Sequence, residues 1–222
     1  MNKRITLFLL IGIIVVSVAM TGCKKDDTTE TPPEETNGTL TDSRDGKIYN
    51  WKKIGNQIWM TENLAFKEAI GCWAYSNDEN YVSLNGYLYD WNTAMITSPD
   101  GWHLPSDNEW KELEMYLGMS QSEVDEIWER GTDEGKKLKS ISGWDNGGNG
   151  NNASGFNAFP SGNRESGGDF YNLGSSCTWW SSTEVTGTEL SWKRYIEENM
   201  ENVGRLDDSK TAGYSVRCIK NN

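Results

Sequence analysis

The sequence predicts an α+β domain, antiparallel strands with two to three short helices, and three observations carry that expectation. The pattern Ser-x-x-Glu occurs twice, at Ser106–Glu109 and Ser120–Glu123, each time ahead of apolar residues. Such a capping box marks a helix N-terminus. The last fifty or so residues instead alternate polar and apolar side chains, about the period of a half-buried strand. Helices early and strands late indicate α+β rather than an alternating α/β chain.

The elements follow in order. DGKIYNWKKIGNQIWMTENL (45–64) reads as a hairpin, with Ile48 and Ile58-Trp59-Met60 in strands and Gly55-Asn56 at the turn. NGYLYDWNTAM (85–95) places Tyr87, Tyr89 and Trp91 as buried aromatics entering a short helix. In GWHLPSDNEWKELEMYLG (101–118), Trp102 and Leu104 alternate around His103 as a short strand. After Pro105 a capped helix buries Trp110, Leu113 and Leu117. Asp107, Glu109 and Glu112 then occupy its first turns, where the helix dipole favours acids. A second helix from Ser120 is expected to bury Val124, Ile127 and Trp128, and a third spans about Glu134–Ser140. Residues 143–164, rich in Gly and Asn, read as a loop leading to a brief strand around Phe156–Phe159. DFYNLG, CTWWSSTE, LSWKRYIEE, NVGRL and GYSVRCIK read as strands.

The N-terminus belongs to no core. Lys3 and Arg4 precede an apolar run from Ile5 to Met20, short of the about 20 residues of a membrane span and built like a secretory leader. Met20-Thr21-Gly22-Cys23 resembles a bacterial lipobox, with Met20 where leucine is usual. The resemblance implies a signal peptide over residues 1–22, cleavage before Cys23 and lipidation of that cysteine. Lipid chains anchor a protein to a membrane at about 0.8 kcal/mol per buried methylene. Residues 23–41 form an acidic, Thr- and Pro-rich tether. Its Cys-Lys-Lys-Asp-Asp start is similar to the surface-export signal of Bacteroidetes lipoproteins, which implies an outer-membrane lipoprotein exposed on the cell surface.

Residues 42–222 are long enough for one domain with a real core. The formal charge is −12, and −14 once Lys3 and Arg4 leave with the leader, which speaks against nucleic acid as a partner. The chain carries 11 tryptophans and no internal repeat. Beyond Cys23 three cysteines remain, Cys72, Cys177 and Cys218, so at most one internal bridge can form. A single histidine and no CxxC exclude common zinc sites.

The ordered set GNQIWMTENL, GYLYDW, GWHLPSDNEW, KLKSISGW, SGFNAFPSGNR, FYNLG, WWSSTE and GYSVRCIK resembles the Fibrobacter succinogenes major paralogous domain over about residues 44–220. That family is related to C-type-lectin-like folds, which include formylglycine-generating enzymes. The resemblance implies a lectin-like fold whose N- and C-terminal strands lie side by side, and it implies no reaction. Many relatives carry a cysteine where this chain has Ser98, and a second one soon after the position of Cys72. Those partners are missing here. Cys72–Cys218, Cys177–Cys218 and three free thiols all stay open.

The candidate sites are therefore binding sites. His103 lacks a visible nucleophile or orienting partner and reads as structural. Asp145, Asn146, Asn149 and Asn151, with Asn152, offer the oxygen ligands that calcium takes. Along SWKRYIEE one side presents Trp192, Arg194 and Ile196, the other Lys193, Tyr195 and Glu197. Trp192, Arg194, Tyr195, Asn202 and Arg205 are the candidate ligand contacts: aromatic rings stack on sugars and forked polar groups read hydroxyls. The same residues suit a protein partner. The expected function is extracellular recognition, of polysaccharide ahead of a surface protein. A structural subunit of a surface assembly is the alternative. An enzyme of the formylglycine-generating type is disfavoured because its paired cysteines lie close in sequence, unlike Cys177 and Cys218.

Overall fold

The structure is a computed structural model that describes residues 35–221. The leader, the candidate lipidation site Cys23 and the tether as far as Glu34 lie outside the described residues. Asn37–Thr41 (β1), Ile48–Ile54 (β2) and Gln57–Met60 (β3) form an antiparallel meander. Its tight turn depends on Gly55, at φ +62°. Cys72–Trp73 (β4), a short helix Val82–Asn85 (α1), Leu88–Tyr89 (β5) and Trp91–Ala94 (α2) follow. Trp102–His103 (β6) then leads into Asp107–Leu117 (α3).

Both capping boxes form as the sequence predicts. The Ser106 side chain accepts from the Glu109 amide while Glu109 reaches back to the Ser106 amide, and Ser120 and Glu123 repeat the arrangement at Gln121–Asp125 (α4). The second helix is shorter than expected. It ends where Glu126 turns extended, and Trp128–Arg130 (β7) pairs with a later strand. Ile127 and Trp128 are consequently exposed, not buried. Glu134–Leu138 (α5) supplies the third expected helix. The short helix expected after Tyr87 and Tyr89 forms as α2, and α1 comes in addition to the helices the sequence predicts. No strand forms at Phe156–Phe159. Ala158 makes only a single bridge with Lys139, and the strand begins later, at Ser161–Arg164 (β8). The rest of the chain is Phe170–Leu173 (β9), Ser176–Glu184 (β10), Leu190–Glu197 (β11), Val203–Ser209 (β12), Tyr214–Ser215 (β13) and Ile219–Lys220 (β14).

Two sheets result. The first runs β1-β2-β3-β14-β6, so the last strand lies beside the first hairpin, with Ile219 opposite Trp59. The second runs β4-β5-β13-β10-β11-β12-β7, with β8 and β9 attached through β10. Pairing is antiparallel except where β10 meets β13 and β8, which it joins in parallel.

The core falls into two apolar clusters, and strand β10 contributes to both because its side chains alternate. Cys177 and Trp179 enter a cluster with Trp59, Trp110, Phe156 and Ile196. Trp180 enters the other, with Tyr49, Tyr89, Trp91 and Tyr214. Trp59 and Trp110 rings lie 4.9 Å apart and Phe156 meets Trp179 at 5.5 Å, within the range in which aromatic pairs add to their area burial.

A buried ion network joins α3 to the second sheet. Asp107 accepts from Arg194 Nη1 at 2.8 Å, and from Arg205 Nε and Nη2 at 2.9 and 2.8 Å. Glu114, two turns on, accepts from Arg194 Nε at 2.7 Å and from Arg130 Nη2 at 2.6 Å. Burial alone would raise the Asp107 carboxyl, but the Arg205 hydrogen bonds and the charges of Arg194 and Arg205 outweigh it and hold it well below the usual carboxylate range. Burial pushes the Arg130 guanidinium down to about 10 even with Glu114 beside it.

This network makes stability acid-sensitive with a defined sign. The folded-state pKa of Asp107 is depressed, so its contribution is complete above the unfolded value of about 3.9 and is lost as pH falls from there toward the folded value. Asp107→Asn is expected to lower stability near neutral pH by about 3–5 kcal/mol, the cost of breaking a buried pair. It is also expected to remove the wild type's extra loss below about pH 4. Thermal unfolding followed from neutral to acid pH checks this; parallel curves for the two proteins would refute the assignment.

Candidate functional site

Strand register decides which side chains meet outside the core. Across the β10–β11 ladder Trp179 faces Arg194 and Cys177 faces Ile196, all buried inward. The opposite face pairs Thr178 with Tyr195 and Ser176 with Glu197, and Lys193 stands opposite Leu206 of β12. This outer face is the floor of a cavity of about 320 Å³. β7 supplies Trp128 and Glu129 at one side, while Asn163, Glu165 and Asn172, from β8, its exit and β9, line the rest.

Several local features shape this cavity. Trp128 is 58% exposed and sits at φ +68°, a left-handed conformation that costs an L-residue about 1–2 kcal/mol. Tyr195 lies flat over Gly204, where any Cβ would stand 2.1 Å from the ring. Tyr195 Oη donates to Glu129 at 2.8 Å, and burial together with that carboxylate raises the phenol's pKa. Asp208 accepts from Lys193 Nζ and Tyr214 Oη, both at 2.6 Å. Burial and Asp208 raise the Tyr214 phenol too, so both phenols keep their protons and act as donors. Asn172 Nδ2 donates to Asn163 Oδ1 at 2.9 Å, and Asn163 Nδ2 to Glu165 at 3.1 Å. Ser176 and Thr178 are 7% and 5% exposed. They line the floor, and neither hydroxyl has a hydrogen-bond partner in the protein.

Of the sequence-predicted ligand residues only Tyr195 is in the cavity. Arg194 is fully buried and Arg205 is 6% exposed, both held by Asp107, so neither guanidinium is free to read a ligand. Trp192 lies on the same inner side, with the Arg205 guanidinium 3.7 Å from its ring centroid. Asn202 is half-buried beside Gly135, its carbonyl 2.1 Å from where a Cβ there would stand, and is absent from the cavity lining. Trp128, Glu129, Ser176 and Thr178 escaped sequence reasoning.

The proposed calcium loop is self-contained. Asn149 Oδ1 accepts from the Trp144 amide at 3.0 Å and Asn151 Oδ1 from the Ala153 amide at 3.1 Å. Asn152 Oδ1 takes the Asn157 amide at 2.9 Å, Asn146 Nδ2 donates to Glu198, and the Asp145 carboxylate packs against Gly174. The Asn149, Asn151 and Asn152 oxygens thus each close a local turn. Among the described residues no group of three or more His, Cys, Asp or Glu side chains can hold a metal ion.

His103 bridges Asn221 Oδ1 at 2.6 Å and Glu109 Oε1 at 2.8 Å, tying the C-terminal segment to α3. All three cysteines are free thiols, so neither candidate bridge forms. Cys177 and Cys218 belong to different clusters, which also separates the pair an oxidase would need. Burial pushes the Cys72 thiol up to about 11 and the Cys218 thiol up to about 12, and raises Cys177 likewise. Such thiols are neither nucleophiles nor ready metal ligands.

Residues 52–220 match the family model described as Fibrobacter succinogenes major domain. No curated protein matches the chain, and no solved structure does.

Cys218 Sγ lies 3.5 Å from Ser98 Oγ. Ser98→Cys is therefore expected to oxidise to a Ser98–Cys218 crosslink, closing a long loop and adding about 2–4 kcal/mol. Thiol titration and unfolding with and without reductant test it. An unchanged number of reactive thiols after denaturation, beyond the one introduced, would show that the side chains cannot meet.

Proposed function

The chain belongs to the Fibrobacter succinogenes major domain family, and on that premise we propose that it is a cell-surface lipoprotein whose domain recognises extracellular polysaccharide in the cavity over β10 and β11. The observation that carries this reading is the pairing of an exposed aromatic ring, Trp128, and a half-buried one, Tyr195, with polar groups of both hydrogen-bonding senses in one concavity. Rings stack on the apolar faces of sugars, and amides, carboxylates and hydroxyls read their alcohol groups. Lipidation at Cys23 and surface exposure are the localisation half of the proposal, and rest on the leader and the Lys-Lys-Asp-Asp start of the tether. No helix among the described residues is long and apolar enough to cross a membrane, so the lipid supplies the anchor in this reading. A C-type-lectin-like arrangement belongs to the same proposal; what supports it is the pairing of the last strand with the first hairpin and the late block of long strands.

A second reading, a subunit of a surface assembly, draws on Ile70 and Ile96, which are 81% and 77% exposed. They lie on either side of Thr93, whose hydroxyl donates to the Ile70 carbonyl and whose carbonyl accepts from the Ile96 amide.

The glycan reading is tested by a glycan array on the full chain, with calcium and again with EDTA. Binding is expected to survive EDTA, because the Asn149 and Asn151 oxygens already close their own turns and the cavity lies elsewhere. Trp128→Gly, which accepts the left-handed backbone, and Tyr195→Ala are each expected to weaken binding about tenfold, or about 1.4 kcal/mol. Absence of any glycan ligand, or binding indifferent to both substitutions, would reject the reading and favour the assembly role.

A further inference from the structure

We propose that the sugar this cavity takes is cationic, a glycan bearing free protonated amino groups; this rests on the glycan reading above. Three carboxylates line the cavity, Glu129, Glu165 and Glu197. The one basic side chain among the lining residues is Lys193, and it is already neutralised. Its Nζ lies 2.6 Å from Asp208 and 3.0 Å from Tyr214 Oη. The cavity therefore faces an incoming ligand with negative charge.

The carboxylates are placed for a ligand rather than consumed by the fold. Tyr195 holds one oxygen of Glu129 and Asn163 holds one oxygen of Glu165, which orients both groups and leaves the second oxygen of each without a protein donor. The Glu197 side chain accepts no hydrogen bond from the protein. At the floor, Ser176 and Thr178 are residues more than nine-tenths buried, and their hydroxyls make no hydrogen bond within the protein. Two hydroxyls on one strand that face the cavity and are not used by the fold are free to meet a ligand's own polar groups.

Ligand classes separate on these facts. An anionic glycan would meet three carboxylates and no free cation. A bare metal ion needs convergent oxygens, and these acids are spread around the cavity instead of clustering. A protonated amine matches both components of the wall. It forms charge-assisted hydrogen bonds to carboxylates, and it is attracted to the faces of Trp and Tyr rings. A ring carrying such amines also offers the apolar face that Trp128 and Tyr195 can stack upon.

The test compares three probes on the full chain at low and high salt: glucosamine oligomers, N-acetylglucosamine oligomers of the same length, and uronic-acid oligomers. Glucosamine oligomers are expected to bind at least tenfold more tightly than the acetylated ones, with the advantage shrinking as salt rises, and uronic-acid oligomers to bind least. The double substitution Glu165→Gln and Glu197→Gln should abolish the preference, weakening binding of the glucosamine probe at least tenfold more than binding of the acetylated one. Equal binding of the first two probes, still weakened by Tyr195→Ala, would overturn the charge inference and leave the glycan site standing. Failure of every probe, together with an empty glycan array, would overturn both.

Discussion

The fold depends on one buried arrangement of charge, the pair of acids on α3 that separates three guanidinium groups. Arg194 and Arg205 stand directly opposite each other in the β11–β12 ladder. Like charges in that position repel, and here they are buried as well. The ladder is tolerable only because Asp107 sits between them and accepts from both. Glu114 extends the arrangement to Arg130, whose other amino group reaches the Val203 carbonyl at 2.9 Å. Replacing such a network with apolar residues can stabilise a protein, whereas removing one member is costly. Its role in this fold is thus best understood as register. Sliding β11 by one residue would bury Lys193 and Tyr195 against α3, with no base for Asp107 in the right place.

The same constraint creates the cavity. A strand has two faces and a period of two, so fixing Arg194 and Ile196 inward fixes Lys193, Tyr195 and Glu197 outward. Strand β10 is keyed in parallel fashion by its tryptophans. Trp179 enters one cluster and Trp180 the other, so the residues before them divide into Cys177 inward and Ser176 and Thr178 outward. Core packing on one side and cavity chemistry on the other are consequences of a single register.

Legibility in the sequence followed the range of the interactions. Both capping boxes were readable because their partners are three residues apart. The first hairpin and the late strands were readable from period-two patterning and a Gly-Asn turn. Alternation along β11 was also correct, but the choice of outer face was not local information. An aromatic, an arginine and an isoleucine look like a contact surface until Asp107, nearly ninety residues earlier, claims the arginine. Trp128 was missed for a related reason. Helical spacing from Val124 continues through it, yet pairing with β12 overrides the helix after Asp125. The order Ile127-Trp128-Glu129-Arg130, aromatic and charged and ahead of Gly131, is the signal that favoured a short strand. Ser176 and Thr178 gave none, since a hydroxyl on a strand becomes informative only when its partners can be counted.

Three features around the cavity run against the stability of the domain. Trp128 holds a left-handed backbone while its ring stays exposed, so no burial offsets the strain. Gly204 sacrifices a strand side chain so that Tyr195 can lie flat. Ser176 and Thr178 are mostly buried residues whose hydroxyls have no partner in the protein. Each departs from a local preference of folded chains; left-handed residues such as Ser76 and Asn77 occur elsewhere, but here three kinds of departure meet. Their convergence on one concavity, built from β7, β10, β11 and β12, is the pattern expected where a binding requirement overrides stability. The same reasoning separates this cavity from the Asp145–Asn152 loop, where the Asn149, Asn151 and Asn152 side-chain oxygens each answer a backbone amide. Amide side chains spent on closing backbone turns are explained by the local fold, whereas the polar groups of the cavity over β10 and β11 are not.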